Sequence, residues 1–301
     1  MIRSRSLALL FVAAASVPFA ARRGAAAQLG PAPRVTIAAG WFTMGASLDD
    51  VSYARRLCVT ERTATAVGLR GCGSEELFSH ETPARRVYLG AYQLDRFEVS
   101  RAELAACVES GACEPPDASS QHPGLARPEY PASGIRWAAA QALCRLRGGR
   151  LPSEAEWERA ARGDSNRRFP WGDAYNERLA NHGEPNLSFD ASAGRPSGAD
   201  GYPFAADVRA FEQSQSPHGL VQMAGNVWEW TADAYAPLSA LTTRVDPLQT
   251  AGAGQRVVRG GSFRTPAFTL RVTHREGRDE AQGFADVGVR CAYDVHARHS
   301  P

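Results

Sequence analysis

The residues whose types and spacing most suggest chemistry lie in Gly219-Leu220-Val221-Gln222-Met223-Ala224-Gly225-Asn226-Val227-Trp228-Glu229-Trp230. A Gly-Asn pair tolerates positive φ. A bend there can turn carbonyl oxygens, the Asn226 amide and the Glu229 carboxylate toward one point. Oxygen-only donor sets suit a hard cation such as calcium. The competing reading is a turn before a buried aromatic strand, with Glu229 exposed. A second cluster is Thr273-His274-Arg275-Glu276, followed by Arg278. His274 and Glu276 could act as a base or a hard-metal pair, or form a solvated charged strand end. Ser262, in Gly260-Gly261-Ser262-Phe263, either offers a hydroxyl to a groove or ends a strand. His80, His122, His182 and His218 lack the spacing of zinc or iron ligands. No phosphate loop, nucleotide fingerprint or nucleophile elbow is present.

The 301 residues suffice for one large domain or two small ones, and 44% hydrophobic with 22% charged residues is ordinary globular composition. The net charge is +2, all the basic residues are arginine, and no basic block interleaves with aromatics, so no nucleic-acid partner is expected. Residues 1–27 read as an export signal: Arg3 and Arg5, a largely apolar run from Leu7 to Ala20, and Ala25-Ala26-Ala27 before Gln28. The run is too short to span a bilayer, so a soluble, exported, monomeric protein without a membrane span is expected. Residues 28–34 are a linker, 35–294 the domain, and 295–301 a tail. Six cysteines in an exported chain favour disulfides, and about fifteen pairings are open to six cysteines. Cys107 and Cys113 are close in sequence, Cys58 and Cys72 bracket a polar segment within an insertion expected at 48–80, and Cys144 and Cys291 remain.

Two short strands are expected from Arg34 to Ala46, turning at Ala38-Ala39-Gly40, and one strand from Arg86 to Asp95. Ser100 with Glu103, and Ser153 with Glu156, form capping boxes that start helices. A helix from Trp137 to Arg147 should end at Gly148-Gly149. Regular periodicity nearly vanishes from Gly163 to His218, and a segment of that length needs metals or disulfides to order it. Strands return at Arg256–Phe263 and Gly288–Tyr293. The class is α+β with much irregular structure.

These pieces resemble, in order, the motifs of the formylglycine-generating enzyme, or sulfatase-modifying-factor, family. The matching segments are Trp41-Phe42-Thr43-Met44-Gly45, His80-Glu81-Thr82-Pro83, Phe97-Glu98-Val99-Ser100, Gly149 to Glu158, Phe169-Pro170-Trp171-Gly172, the Gly225–Trp230 stretch, Arg256 to Phe263, and Gly288-Val289-Arg290-Cys291. The resemblance implies a fold related to C-type lectin-like domains and a Cys144–Cys291 bridge. It implies one structural calcium held by the Asn181 side chain, the His182 carbonyl, the Asp200 carboxylate and the Tyr202 carbonyl. It implies a second held by Gln222, the Gly225 and Val227 carbonyls, and Glu229. It also implies a groove at Trp228 and Ser262, with Arg278 and Arg290 at arginine positions of the family. The family's oxidases hold copper(I) with two cysteines after Gly-Gly-Ser, where Thr265 and Leu270 stand here. Copper is therefore not expected, since soft thiolates are its ligands. The expected role is a calcium-stabilised binding or accessory module for a peptide, glycan or small metabolite. The alternative is a divergent oxidoreductase of exported maturation using Ser262, His274, Glu276 and Arg278.

Overall fold

The structure, a computed structural model, describes residues 32–63, 72, 76–183, 200–252 and 254–295. The expected leader, most of the linker and residues 296–301 lie outside these. The elements are β1 (Arg34–Ile37), β2 (Gly40–Met44), α1 (Leu48–Thr63), α2 (Glu76–Ser79), β3 (Arg85–Leu89), β4 (Tyr92–Asp95), α3 (Arg101–Glu109), α4 (Trp137–Leu146), α5 (Glu154–Arg162), β5 (Trp228–Ala234), β6 (Gln255–Arg259), β7 (Arg275–Asp279), β8 (Val287–Gly288) and β9 (Ala292–Asp294). Five short strands make a three-stranded sheet, β1-β4-β9, and a two-stranded antiparallel sheet, β2-β3; four more make the sheet β7-β6-β5-β8. Short 3₁₀ turns such as Glu177–Leu179 and Glu212–Ser214 punctuate the long irregular stretch.

Local signals explain the helices. Both expected capping boxes form, with Ser100 and Ser153 accepting from the Glu103 and Glu156 backbones, and each Glu side chain returning to its cap. A third box opens α1, because the Ser47 backbone donates to Asp50 and Asp50 N donates to the Ser47 hydroxyl. In sequence alone the same stretch reads only as a polar insertion.

Two expected strands divide. Arg86–Asp95 becomes β3 and β4, which serve different sheets. The break is at Gly90, whose N–H is drawn to Asp246 instead of a ladder partner. Gly288–Tyr293 likewise becomes β8 and β9, because Arg290 between them turns inward and is fully buried. Strand β6 stops at Arg259, where Gly260 and Gly261 take φ of 100° and 76°.

All nine residues of α5 are buried, including five charged ones. A buried charge is tolerated only when paired. Glu158 pairs with Arg162 at 2.8 Å and with Arg259 at 2.5 Å, and Glu154 pairs with Arg275 at 2.6 Å. The Trp157 indole donates to Glu229 at 2.7 Å. This helix therefore locks β2, β6 and β7 to the Trp228–Ala234 strand from inside.

All six cysteines are bridged: Cys58–Cys72, Cys107–Cys113 and Cys144–Cys291. The last ties α4 to the turn before β9. No helix among the described residues is long and apolar enough to cross a membrane.

Candidate functional site

The 222–229 loop is built around positive φ. Gln222, Gly225 and Asn226 sit at 61°, 80° and 62°. Only glycine fits at 225, since a Cβ there would meet the Asn181 carbonyl at 2.2 Å. The two loops expected to hold cations are thus in direct contact, and Asn226 N donates to the Asn181 carbonyl. The Asn226 side chain is the hub. Its Oδ1 accepts from Ala206 N at 2.8 Å and Asn181 Nδ2 at 3.2 Å, and its Nδ2 donates to Glu98 at 2.6 Å.

At the first expected cation position, Asp200 accepts from the backbone N–H groups of His182 and Tyr202, both at 2.9 Å. Asn181 is fully buried, and its Oδ1 accepts no hydrogen bond among the described residues. A buried amide oxygen without a donor fits a hard cation.

At the second position the donors are arranged differently from the expectation. Glu229 is 1% exposed rather than solvated. Its Oε1 accepts from Arg290 at 2.7 and 3.1 Å, and its Oε2 from Trp157 at 2.7 Å and Arg290 at 3.1 Å. Its lone pairs are committed. Two other buried oxygens nearby are not: Gln222 Oε1 and Glu98 Oε1 accept nothing among the described residues. Burial, with Glu229 close by, pushes the Glu98 carboxyl well above its ordinary range, against the pull of Arg290 and of hydrogen bonds from Asn226 and the Val227 backbone. The sequence signal for Glu98 is a glutamate between two apolar residues, Phe97-Glu98-Val99, in the connection from β4 to α3.

Around Gly260-Gly261-Ser262 the structure gathers the remaining candidates. Ser262 is buried; its hydroxyl donates to Asp286 at 2.9 Å. Trp228 is fully buried with its indole N–H unpaired among the described residues. Its ring lies 5.8 Å from that of His274, whose other neighbour is Phe268 at 5.9 Å and 90°. His274 is 3% exposed, so it is not a solvated strand end. Its Nδ1 is 2.9 Å from Glu81, while Nε2 lies 3.6 Å from Glu276 with no hydrogen bond. Burial draws the imidazole down, but Glu276 and Glu81 outweigh it and raise its pKa above the ordinary value. Glu276 is partly exposed and pairs with Arg278 at 2.9 Å. Arg278 thus stands at the rim and Arg290 inside the core.

The residue that orders this cluster is Glu81. It accepts from Arg271 at 2.6 and 2.7 Å, from Thr273 at 2.7 Å, and faces His274. Burial opposes its charge, but Arg271 and His274 hold its carboxyl far below the ordinary range.

The two expected thiol positions are occupied by packing and hydroxyl chemistry. Thr265 Oγ1 accepts from Ser262 N and from Thr269 Oγ1, both at 2.8 Å. Leu270 is fully buried among Phe169, Ala180, Ala224 and Ala267. Helix α1 lies across this turn, and Phe268 packs with Ala54, Phe78 and the Cys58–Cys72 bridge. The insertion thus seals the segment from one side.

A family model described as "Sulfatase-modifying factor enzyme 1-like domain" matches residues 21–295. The chain is similar to the formylglycine-generating enzyme of Bos taurus, 29% identical over 260 residues, covering 71% of this chain and 68% of that one. It is 34% identical over 170 residues to the inactive C-alpha-formylglycine-generating enzyme 2 of Bos taurus, covering 54% of this chain and half of that protein's length. Among solved structures, PvdO from Pseudomonas aeruginosa superposes with a TM-score of 0.63 at 22% identity, covering 87% of this chain and 94% of that one, a likeness of fold.

Proposed function

Since the chain belongs to the sulfatase-modifying factor enzyme 1-like domain family, we propose that it is an exported member without the copper-dependent cysteine oxidase activity, acting as a calcium-stabilised binding or accessory module. The observation that carries this reading is that no cysteine is free and Thr265 and Leu270 stand at the thiolate positions. Copper(I) in this family needs two thiolates, and a hydroxyl and an isobutyl group replace them. Similarity to a relative described as inactive supports the same reading.

The ligand class we propose is a peptide, glycan or small metabolite; Trp228, Ser262 and His274, where the sequence puts its groove, are all buried and present no open surface to it. Calcium would be held at the first position by Asn181, Asp200 and the His182 and Tyr202 carbonyls, the unsatisfied Asn181 Oδ1 being the fitting feature. Its contribution would be to cross-link loops that the core cannot order alone. The test is a free-thiol count on the denatured exported protein, with copper(I) titration of the native one. No free thiol and no tight copper(I) binding are expected; two free thiols with tight binding would overturn the reading.

A second reading, a divergent oxidoreductase of exported maturation, is favoured by one feature. His274 is held by carboxylates on both sides, Glu81 2.9 Å from Nδ1 and Glu276 3.6 Å from Nε2, beside Trp228, which suits transfer of a proton between the imidazole and Glu276. His274→Gln, Glu276→Gln and Arg278→Met together should then change the producing strain's exported metabolites; an unchanged profile removes it.

A further inference from the structure

We propose that the outer face of β2 and β3, with the cavity beside it, binds a neutral glycan. The inference rests on the binding-module reading above and moves the ligand from the buried Trp228 region to an open face. Trp157, Trp228 and Trp230 are fully buried, but Trp41 is 47% exposed. Phe42, Met44, Val87 and Leu89 face the core, so the alternate residues of both strands face outward. Among these, Trp41 stands opposite Tyr88 and Thr43 opposite Arg86. The Trp41 and Tyr88 rings meet at 5.4 Å and 63°. Val245, 53% exposed, pairs with Tyr88 from the other side and extends the row. Three adjacent strands make the row about 10 Å wide. It is a narrow apolar strip with a polar rim. An aromatic face is electron-rich and attracts the slightly positive C–H edges of a sugar ring.

The row runs into a cavity. Asp246, next in the chain, takes a φ of 42°, donates its N–H to the Tyr88 carbonyl and accepts from Gly90 N at 2.7 Å. Leu248 then lines a cavity of about 530 Å³ with Gln141 and the charged groups Arg145, Arg150, Glu156, Asp246 and Asp294. Arg150 pairs with both Glu156 and Asp294. Arg86, 6.0 Å from the centre of the Trp41 ring, adds one positive charge to the face. Arg244 lies toward Arg85, on the inner side of its strand. Arg86, Arg145 and Arg150 thus stand against Glu156, Asp246 and Asp294, and the face is charge-balanced. It offers donors at Arg145 and Gln141, and acceptors at Gln141 and Asp246. A neutral polyol complements that set, because each hydroxyl both donates and accepts. An acidic glycan would meet the carboxylates, and a protein partner would need a wider apolar centre than this strip.

The experiment titrates the full exported chain with malto-, cello-, chito- and manno-oligosaccharides, with polygalacturonate fragments and polyglutamate as charged probes. Calorimetry gives affinity, and tryptophan fluorescence reports Trp41. At least one neutral oligosaccharide should bind and shift the emission to the blue. Its affinity should hold as salt rises from about 0.05 to 0.5 M, since no exposed ion pair is formed. Trp41→Ala should weaken it at least about tenfold, with little change in melting temperature because the side chain is half in solvent. Trp41→Phe should restore part of the loss. Gln141→Ala and Arg145→Met should each weaken it about threefold to tenfold. The inference is overturned if no neutral oligosaccharide binds, or if only polygalacturonate or polyglutamate does. Undiminished binding by Trp41→Ala overturns it as well, while leaving the module reading in place. Copper(I) titration of the same sample decides that reading separately.

Discussion

Glu81→Gln tests whether one buried carboxylate organises the His274 cluster. Glu81 and Arg271 are each 1% exposed and meet through two hydrogen bonds at 2.6 and 2.7 Å. The substitution keeps size and shape but removes the charge and places an amide N–H₂ against a guanidinium. Breaking a buried pair in this way costs about 3–5 kcal/mol, because the remaining charge is stranded. In a domain of this size 1 kcal/mol shifts the melting temperature by about 2–4 °C, so a drop of about 6–20 °C is expected. The pH dependence has a definite sign. The folded-state pKa of Glu81 is depressed, so its contribution is complete above the unfolded carboxylate value and erodes as pH falls toward the folded one. The gap between wild type and variant should be full at pH 7 and narrow below about pH 4.5. Melts are read by circular dichroism at constant calcium with the disulfides intact. The His274 Cε1 proton shift, followed by NMR, should show a lower pKa in the variant, since one of its two carboxylate partners is gone. A loss under about 1 kcal/mol at neutral pH, or a gap that widens in acid, would refute the reasoning.

Two further outcomes are expected. Replacing Cys144 and Cys291 together by serine opens a link across 147 residues; in the chain-entropy model this costs about 5 kcal/mol. A calorimetric loss below that of a Cys107/Cys113 pair, which closes a separation of only 6, would contradict it. Asp233 is pushed up to about 7 by burial and by Glu154 beside it. Between the unfolded carboxylate value and about pH 7 the folded state therefore keeps a proton that the unfolded state releases, and stability falls as pH rises. Asp233→Asn should gain on wild type from pH 5 to pH 8 in denaturant titrations; a constant difference would show that Asp233 does not titrate in this window.

Much of the framework was legible because it is written locally. The capping boxes at Ser100/Glu103 and Ser153/Glu156 each need only four consecutive residues, and both formed. The Cys144–Cys291 pairing followed from family resemblance, not from spacing. Helix α1 was not legible as structure, because its box, Ser47 with Asp50, ends in aspartate and opens a polar stretch with no apolar stripe. Its packing partner, Phe268, lies some two hundred residues away. The division of Arg86–Asp95 had a local mark, Gly90, but its meaning depended on the distant Asp246.

The candidate site shows the same limit more sharply. The resemblance carried by the Gly225–Trp230 motif implies that Glu229 ligates a cation, and nothing within those residues argues otherwise. What competes for it is Arg290, 61 residues later, whose planar fork offers two donors at once to a carboxylate buried beside it. A guanidinium already inside the core and anchored to the carbonyls of Asp95, Arg96 and Val221 would be left with a stranded charge if Glu229 turned to a metal. Glu98, which the chain brings to the loop from the connection between β4 and α3, keeps one oxygen that accepts no hydrogen bond among the described residues. Sequence order identifies which oxygens a loop can offer; only the fold shows which of them are still unspent.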